Sequence, residues 1–285
     1  MPSRLNVSKT TEFNALSIEI PPKPELLVKI HNETKRTNID FNKIAGLISQ
    51  DVAISAAVLK IVNSSFYGLK QKIVSIPHAI SLFGLEPTIN LVAGFIIKQE
   101  LEKNTVMLPR FWDEASCVAE FSAYFATQLN ITDTNIQYTL GLFHDVGIPI
   151  MAQKYPNYLE VLKQANQSTS EDIFTDFEDK NYDINHSIVG SLLCTEWGLN
   201  ESLREVILNH HDIESVFYFD TSDNKNESKM LSILKIAELA TDTIRTGTPS
   251  HEWEVHGDII KDLMNITSSD ILELIEDSGI KLPNF

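Results

Sequence analysis

The chain has 285 residues, 43% of them hydrophobic, which is enough for one large domain or two small ones with a sizeable core. Its 11 glycines and 11 prolines are too few for the frequent turns of a sandwich or barrel, so we expect a mainly helical protein. The net charge of −16 argues against general nucleic-acid binding, because a phosphate backbone is bound largely through Lys and Arg.

The cellular compartment is indicated by the cysteines and by the lack of long apolar runs. Cys117 and Cys194 stand among apolar neighbours and form no CxxC motif, which is typical of buried thiols in a reducing compartment. The first twenty residues contain no continuous apolar run that would serve as a secretory signal. Stretches such as 91–97 fall far short of the ~20 residues that span a bilayer. We therefore expect a cytoplasmic protein without membrane contacts.

Helical periodicity begins after the proline-rich segment 21–24 and continues through the chain. The sequence predicts a polar arm over residues 1–15 and then an N-terminal helical lobe over 16–105. The five predicted helices of this lobe are marked by apolar residues at 26–30, 44–48, 54–62, 77–83 and 87–101. Gly84 follows the fourth helix at the position of a C-terminal cap.

The second predicted lobe covers residues 106–214, and the helices of 215–285 are expected to complete it. Its predicted helices span 110–129, 135–153, 157–167, 171–179, 185–197 and 201–211. The polar segment 220–228 predicts an exposed loop. The last three predicted helices span 229–246, 253–264 and 268–278, and Thr267 and Asp270 form a plausible capping pair for the last. No strand-like alternation exceeds four residues, so we predict an all-α bundle in two packed lobes.

Four of the eight histidines fall on three of these predicted helices. His210 follows Leu203, Val206 and Ile207 at the spacing i, i+3, i+4, i+7 and therefore lies on an inward face, with His211 beside it. His186 shares an apolar face with Val189 and Trp197. Gly190, one turn after His186, would let another helix approach closely.

The pair His144-Asp145 lies in the apolar, glycine-flanked segment 141–147, where a buried Asp is costly unless it is paired or binds a cation. Imidazole and carboxylate donors that converge from separate rigid helices are what a metal site requires. The sequence predicts a shared polar site, either around a divalent transition metal ion (Fe, Mn, Zn or Ni) or held by hydrogen bonds alone. Its predicted members are His144, Asp145, His186, His210 and His211.

These residues resemble the ligand pattern of the HD superfamily of metal-dependent phosphohydrolases, and a longer series of motifs resembles the HDOD family. The motifs that carry this resemblance are Asp51, Leu59, Asn63-Ser64, Tyr67, Ser75-Ile76, Ala79-Ile80, Gly84, Phe111-Trp112, 141–147, His186, Gly190, Trp197 and His210-His211. The resemblance covers residues 16–214. It implies an all-α fold with an HD-like second lobe and a regulatory or signalling role, since enzymatic activity is not generally established for the family.

The chain departs from the hydrolytic HD pattern at four points. The resemblance aligns Glu114 with the first histidine and Glu238 with the final aspartate, which makes both carboxylates additional candidate ligands. Ile148 stands where hydrolytic members often carry a Lys, which removes a charge that would stabilise a phosphoryl transition state. The residues after His211 lack the Gly-Tyr-Pro signature, so cyclic-di-GMP phosphodiesterase activity is not expected.

Two functional hypotheses follow, and we expect the first. The chain would be a regulatory protein with a degenerate HD-type metal site, acting through a protein partner of a signalling pathway or through a small-molecule or nucleotide ligand. The alternative is a metal-dependent phosphohydrolase acting on phosphomonoesters or phosphodiesters. A cluster without metal, held only by hydrogen bonds, is the third reading of the same residues.

Overall fold

The computed structural model describes residues 18–64, 67, 69–102, 108, 110–167, 174–218 and 225–280. Within these residues the chain forms sixteen helices and no strand, which confirms the predicted all-α class. The predicted first lobe contains α1 (Glu25–Thr34), α2 (Phe41–Ser49), α3 (Val52–Val62), α4 (Ile76–Phe83) and α5 (Leu85–Glu102). The predicted arm over 1–15 and the predicted lobe boundary at residue 105 lie outside the described residues.

The remaining eleven helices, which follow residue 110, fall in the predicted second lobe and the C-terminal part. They are α6 (Phe111–Leu129), α7 (Thr134–Phe143), α8 (Gly147–Lys154), α9 (Tyr158–Gln167), α10 (Phe174–Tyr182), α11 (His186–Trp197), α12 (Glu201–Asn209), α13 (Ile213–Tyr218), α14 (Lys225–Thr246), α15 (His251–Met264) and α16 (Ser268–Ser278). Helix α6 packs against α7 and α14, while α11 packs against α8 and α12. The candidate site lies where α11 and α12 meet the junction of α7 and α8.

The segment after α3 contacts α7, a helix of the predicted second lobe. Asn63 caps the end of α3, and its amide Nδ2 donates to the carbonyl oxygens of Leu59 and Ile73, each at 2.7 Å. The Asn63 Oδ1 atom accepts from the backbone N–H of Ile73 at 2.7 Å, so one side chain closes the turn. Beyond this turn, the Tyr67 hydroxyl donates to Asn135 Oδ1 at 2.5 Å, in the first turn of α7. The family motif in the first lobe thus contacts the helix that leads to His144.

The helix predicted over 135–153 is interrupted, and this prediction was wrong. Helix α7 ends at Phe143 and α8 begins at Gly147, with His144 and Asp145 in the turn between them. Pro149 explains the break, because it has no N–H to donate to the carbonyl of Asp145, four residues earlier. That carbonyl accepts from Ile148 N at 2.8 Å instead, which is a tighter three-residue turn. The interruption frees the side chains of His144 and Asp145 from a continuous helix face.

Further boundaries differ from the predictions, and α10 ends at Tyr182 rather than at residue 179. Helix α12 ends at Asn209, so His210 is its cap and His211 lies in the following turn. The predicted loop over 220–228 is wrong at its end, because 225–228 are the first turn of α14, while 219–224 lie outside the described residues. Glu227 lies in that first turn, where its negative charge interacts favourably with the helix dipole. The predicted capping pair Thr267 and Asp270 is confirmed as a reciprocal capping box.

Among the described helices, none is by itself both long and apolar enough to cross a membrane. The bent pair α2 and α3, with 112° between the two helices, meets the length and composition test only when both are counted together.

Candidate metal centre

Four side chains from three parts of the second lobe converge on one point. Asp145 comes from the turn between α7 and α8, His186 from the first turn of α11, and His210 and His211 from the end of α12. One potential ligand atom from each of the four lies within 4.8 Å of the others. His186 and His210 are fully buried, as their inward faces predicted, whereas the Asp145 side chain keeps 29% exposure and His211 keeps 13%. The cluster therefore reaches the surface on the side of Asp145 and His211.

Close helix contacts bring these residues together. A Cβ atom on Gly147 would lie 2.0 Å from the backbone oxygen of His186, so only glycine lets the start of α8 contact the start of α11. A Cβ on Gly190 would lie 3.1 Å from Ile207 Cγ2 of α12 and 3.4 Å from Val146 Cγ1. The close approach predicted at Gly190 is therefore confirmed. These two glycines hold His186 near both Asp145 and His210.

Each histidine ring of the cluster is oriented by an acceptor at Nδ1. His186 Nδ1 lies 2.6 Å from Glu178 Oε2, His210 Nδ1 lies 2.7 Å from the carbonyl of Ile207, and His211 Nδ1 lies 3.0 Å from Glu252 Oε1. A carbonyl or an ionised carboxylate cannot donate, so Nδ1 must carry the hydrogen in all three rings. When these rings are neutral, their Nε2 atoms are the electron-pair donors, which is the tautomer that metal-binding histidines adopt.

The Nε2 atoms face one another and Asp145. His186 Nε2 is 3.4 Å from His210 Nε2 and 3.2 Å from His211 Nε2. Asp145 Oδ1 lies 3.3 Å from Nε2 of His186 and 3.3 Å from Nε2 of His210. Three nitrogen lone pairs and a carboxylate oxygen repel one another at such distances unless a proton or a cation lies among them.

His144 lies at the edge of this cluster. Its Nδ1 donates to the carbonyl of Gly141 at 2.8 Å, and its Nε2 lies 3.2 Å from Asp145 Oδ2. Glu238 stands beyond it, with Oε1 3.6 Å from His144 Nε2. His144 and Glu238, both predicted ligands, therefore lie beside the group of four. His144 contacts that group through Asp145 Oδ2, and Glu238 contacts His144.

Glu114 is not brought into the cluster. Its Oε1 atom lies 3.6 Å from Arg245 Nη1, and its side chain keeps 36% exposure. Arg245 also donates to Asp242 Oδ1 at 2.6 Å. Burial raises the pKa of the Glu114 carboxyl, and the Arg245 charge only partly offsets that rise. Glu114, which the resemblance aligns with the first HD histidine, therefore makes no contact with the cluster among the described residues.

Three residues of the site, Glu178, Lys235 and Glu252, were not predicted from the sequence. Glu178 is fully buried, binds His186 and accepts a hydrogen bond from the Tyr158 hydroxyl. Lys235 is 3% exposed, and its Nζ lies 2.9 Å from both Glu238 Oε2 and Glu252 Oε2. A signal for Lys235 was present in the sequence, because this cation interrupts the apolar run 233–237. Although Ile148 stands in place of a lysine of hydrolytic members, Lys235 thus supplies a cation beside the site.

The protonation states follow the contacts. Burial alone would lower the pKa of His186, but the charge of Glu178 and the hydrogen bonds to Asp145 and Glu178 raise it to about 10. Burial and the nearby charge of His211 hold the pKa of His210 well below its usual value. Burial opposes ionisation of Asp145, yet the charge of His144 and the imidazole hydrogen bonds bring the Asp145 pKa well below its usual range. When no cation is bound, imidazolium groups thus compensate the Asp145 carboxylate.

The charge balance requires either protons on the imidazoles or a bound cation. Four carboxylates, those of Asp145, Glu178, Glu238 and Glu252, lie in or around the cluster against one ammonium, that of Lys235, which leaves an excess of three negative charges when the imidazoles are neutral, as they are in a metal site. Imidazole nitrogen with a carboxylate oxygen suits Fe, Mn, Zn and Ni, and the oriented Nε2 atoms match this donor set. The residues present therefore fit a divalent transition metal ion held by Asp145, His186, His210 and His211.

Comparison with known sequences identifies relatives of the chain. A sequence model described as the HDOD domain matches residues 20–213. An uncharacterized protein of Treponema pallidum is 26% identical over 224 residues, which cover 75% of this chain and 42% of that protein. The chain therefore spans less than half the length of this curated relative.

Solved structures share the fold. An HDOD domain protein of unknown function from Geobacter sulfurreducens superposes with a TM-score of 0.63 at 21% identity, covering 95% of this chain and 96% of that one. A protein from Shewanella amazonensis, provisionally described as a metal-dependent phosphohydrolase, gives 0.66 at 16% identity, with 94% and 95% covered. A protein from Marinobacter aquaeolei, provisionally described as a signal transduction protein, gives 0.63 at 16% identity, covering 96% of this chain and 64% of that one. At such identities the likeness establishes the all-α fold alone.

Proposed function

The chain belongs to the HDOD domain family, and from this membership and the geometry of its histidine cluster we propose that it is a regulatory module that binds a divalent transition metal ion. The observation that carries the proposal is the convergence of three Nε2 atoms and one carboxylate while each Nδ1 is held by an acceptor. A bound ion would supply the positive charge that the surrounding carboxylates lack and would join α11, α12 and the α7–α8 turn. We further propose that the module acts in the cytoplasm through a protein partner of a signalling pathway, with a small molecule or nucleotide as the alternative ligand.

The surroundings of the cluster favour regulation over phosphoester hydrolysis. The space beside Lys235, Glu238 and Glu252 is too narrow to hold a water molecule, whereas typical small-molecule sites enclose ~300 Å³ or more. Lys235 is engaged by two carboxylates at 2.9 Å each, so its charge is compensated before any phosphate arrives. Stabilising the charge of a phosphoryl transition state is usually a large part of catalysis, and these groups contribute little to it.

A phosphohydrolase is the second candidate, supported by the exposure of Asp145 and His211. A substrate oxygen could approach the cluster from that side, because the two side chains keep 29% and 13% exposure. The fold is also that of the Shewanella amazonensis protein provisionally described as a phosphohydrolase. On this reading the same four residues would hold the metal.

Elemental analysis of the purified protein, followed by a turnover assay, tests the proposal. We expect about one Fe, Mn, Zn or Ni ion per chain and no turnover of phosphomonoesters, phosphodiesters or cyclic dinucleotides above that of chelated protein. Turnover that disappears in Asp145→Asn would establish the hydrolase instead. A protein that stays free of metal after incubation with each of the four ions would contradict both readings and support a cluster held by hydrogen bonds.

Replacing Glu178 tests how the site is oriented. The variant Glu178→Gln keeps the shape of the side chain but removes the charge that fixes the His186 ring, so metal affinity should fall by about 10-fold to 100-fold. Affinity is measured by competition with a chromophoric chelator. Asp179→Asn is the matched control, since among the described residues the Asp179 carboxylate accepts from Asn185 Nδ2, at 3.0 and 3.1 Å, and from no histidine of the cluster. Equal losses in both variants would show that Glu178 has no specific positioning role.

A further inference from the structure

Helix α15 carries an apolar row that the described part of the chain leaves exposed. Val255, Ile259 and Leu263 follow one another at i, i+4 and i+8, so they lie along one face of the helix. Their exposed fractions are 55%, 42% and 39%, while a different face, which includes Gly257 and Ile260, is buried. A contiguous apolar face on a helix that already packs on the core through another face is typical of an interaction surface.

An acidic row runs beside the apolar row. Glu254, Asp258 and Asp262 occupy the same i, i+4, i+8 register one residue earlier, and all three are exposed. Lys261 lies 2.7 Å from Asp258 and offsets one of the three charges. The surface thus consists of two parallel rows, one apolar and one predominantly negative.

We propose that this face of α15 docks a basic amphipathic helix of a partner protein, with apolar side chains on the apolar row and Lys or Arg along the acidic row. A second copy of the chain fits less well, because two such faces would bring acidic rows together within a protein of net charge −16. An anionic membrane surface would be repelled by the same charges. The partner is therefore defined by its positive charge and its helical apolar spacing.

The docking face is physically connected to the candidate metal centre. Glu252 lies in the first turn of α15, and its carboxylate holds both His211 Nδ1, at 3.0 Å, and Lys235 Nζ, at 2.9 Å. A metal that orders His211 would also order the start of α15, so docking should be sensitive to the metal. This coupling rests on the function proposed above, whereas the docking surface itself does not.

Binding of designed helical peptides tests the surface. The probe is a fluorescent peptide of ~18 residues, long enough for a stable helix, with Leu at i, i+4, i+8 beside Lys in the adjoining register. A second peptide has Glu in place of every Lys. We expect saturable binding of the Lys peptide to the full chain by fluorescence anisotropy, and at least ~10-fold weaker binding to Ile259→Ser and to Asp258→Lys. Val28→Ser, at a 39% exposed position on α1 in the other lobe, is the matched control and should bind normally.

Several results would overturn the docking proposal. In the peptide assay these are equal binding of both peptides, no binding of either, and equal binding to Ile259→Ser and to wild type. A dimer in sedimentation that Ile259→Ser dissociates would identify a second copy as the occupant. Binding of phosphatidylglycerol vesicles through this face would identify a membrane instead. Peptide affinity is also measured in excess chelator and at metal saturation. A difference of at least ~3-fold supports the coupling through Glu252, and unchanged affinity overturns the coupling alone. Failure of metal binding is detected separately by elemental analysis.

Discussion

Asp145→Asn should remove metal binding while leaving the helical fold intact. The variant keeps the size of the side chain but loses the carboxylate whose Oδ1 lies 3.3 Å from the Nε2 atoms of both His186 and His210. Because losing a residue that merely supports a ligand costs about 10-fold to 100-fold in affinity, losing this charge should cost more than ~100-fold. Wild-type protein should gain about 2.7 kcal/mol of unfolding free energy at a metal concentration 100 times the Kd, and the variant should gain almost none at that concentration.

The control for this experiment is Glu114→Gln. Glu114 contacts Arg245 rather than the histidine cluster, so its loss should leave metal content and the metal-dependent rise in Tm as in wild type. If Glu114 were a ligand, as the family resemblance implies, its variant would lose metal as Asp145→Asn does. Full metal content in Asp145→Asn would contradict the assignment of Asp145 as a ligand.

Most of the helical fold could be predicted from local pattern. The apolar period of 3.6 residues gave the helices, and the predicted span 268–278 of the last one agrees with the structure at both ends. The interruption at 144–146 was missed because apolar residues continue on both sides of it and its cause, Pro149, lies beyond the break. The loop predicted at 225–228 was wrong for a different reason. The first turn of α14 is polar and its apolar residues begin only at Met230, so the sequence of this turn resembles a loop.

The site was predictable in its chemistry but not in its supporting contacts. His144-Asp145, His186 and His210-His211 stand out because polar or charged side chains among apolar neighbours need a partner to be buried. Glu178, Lys235 and Glu252 act on these residues from three other helices, and their pairing depends on how those helices pack. Such contacts carry no local periodicity, and the chain holds 39 acidic residues among which Glu178 and Glu252 are not distinguished.

Gly147→Ala should destabilise the protein strongly and weaken the metal centre at the same time. The new Cβ would lie 2.0 Å from the backbone oxygen of His186 and 2.8 Å from its carbonyl carbon. Backbone atoms cannot move away by a rotamer change, so α8 and α11 must separate. Overpacking of a core costs about 1–3 kcal/mol and occasionally more, and we expect at least ~3 kcal/mol here, or a fall in Tm of ~6–12 °C. The separation also moves Asp145 from His186, so metal affinity should fall together with Tm.

Gly46→Ala separates this effect from the general consequence of replacing a helical glycine. Gly46 lies within α2, is exposed, and has nothing within 4 Å of the position that its Cβ would take. Alanine is the better helix former by about 0.5–1 kcal/mol, so this variant should unfold at the wild-type temperature or slightly above it. Thermal unfolding of both variants, with and without chelator, measures the difference. A Gly147→Ala protein with the Tm and the metal affinity of the wild type would contradict the close contact of α8 with α11. It would equally contradict the inference that this contact places Asp145 beside the histidines.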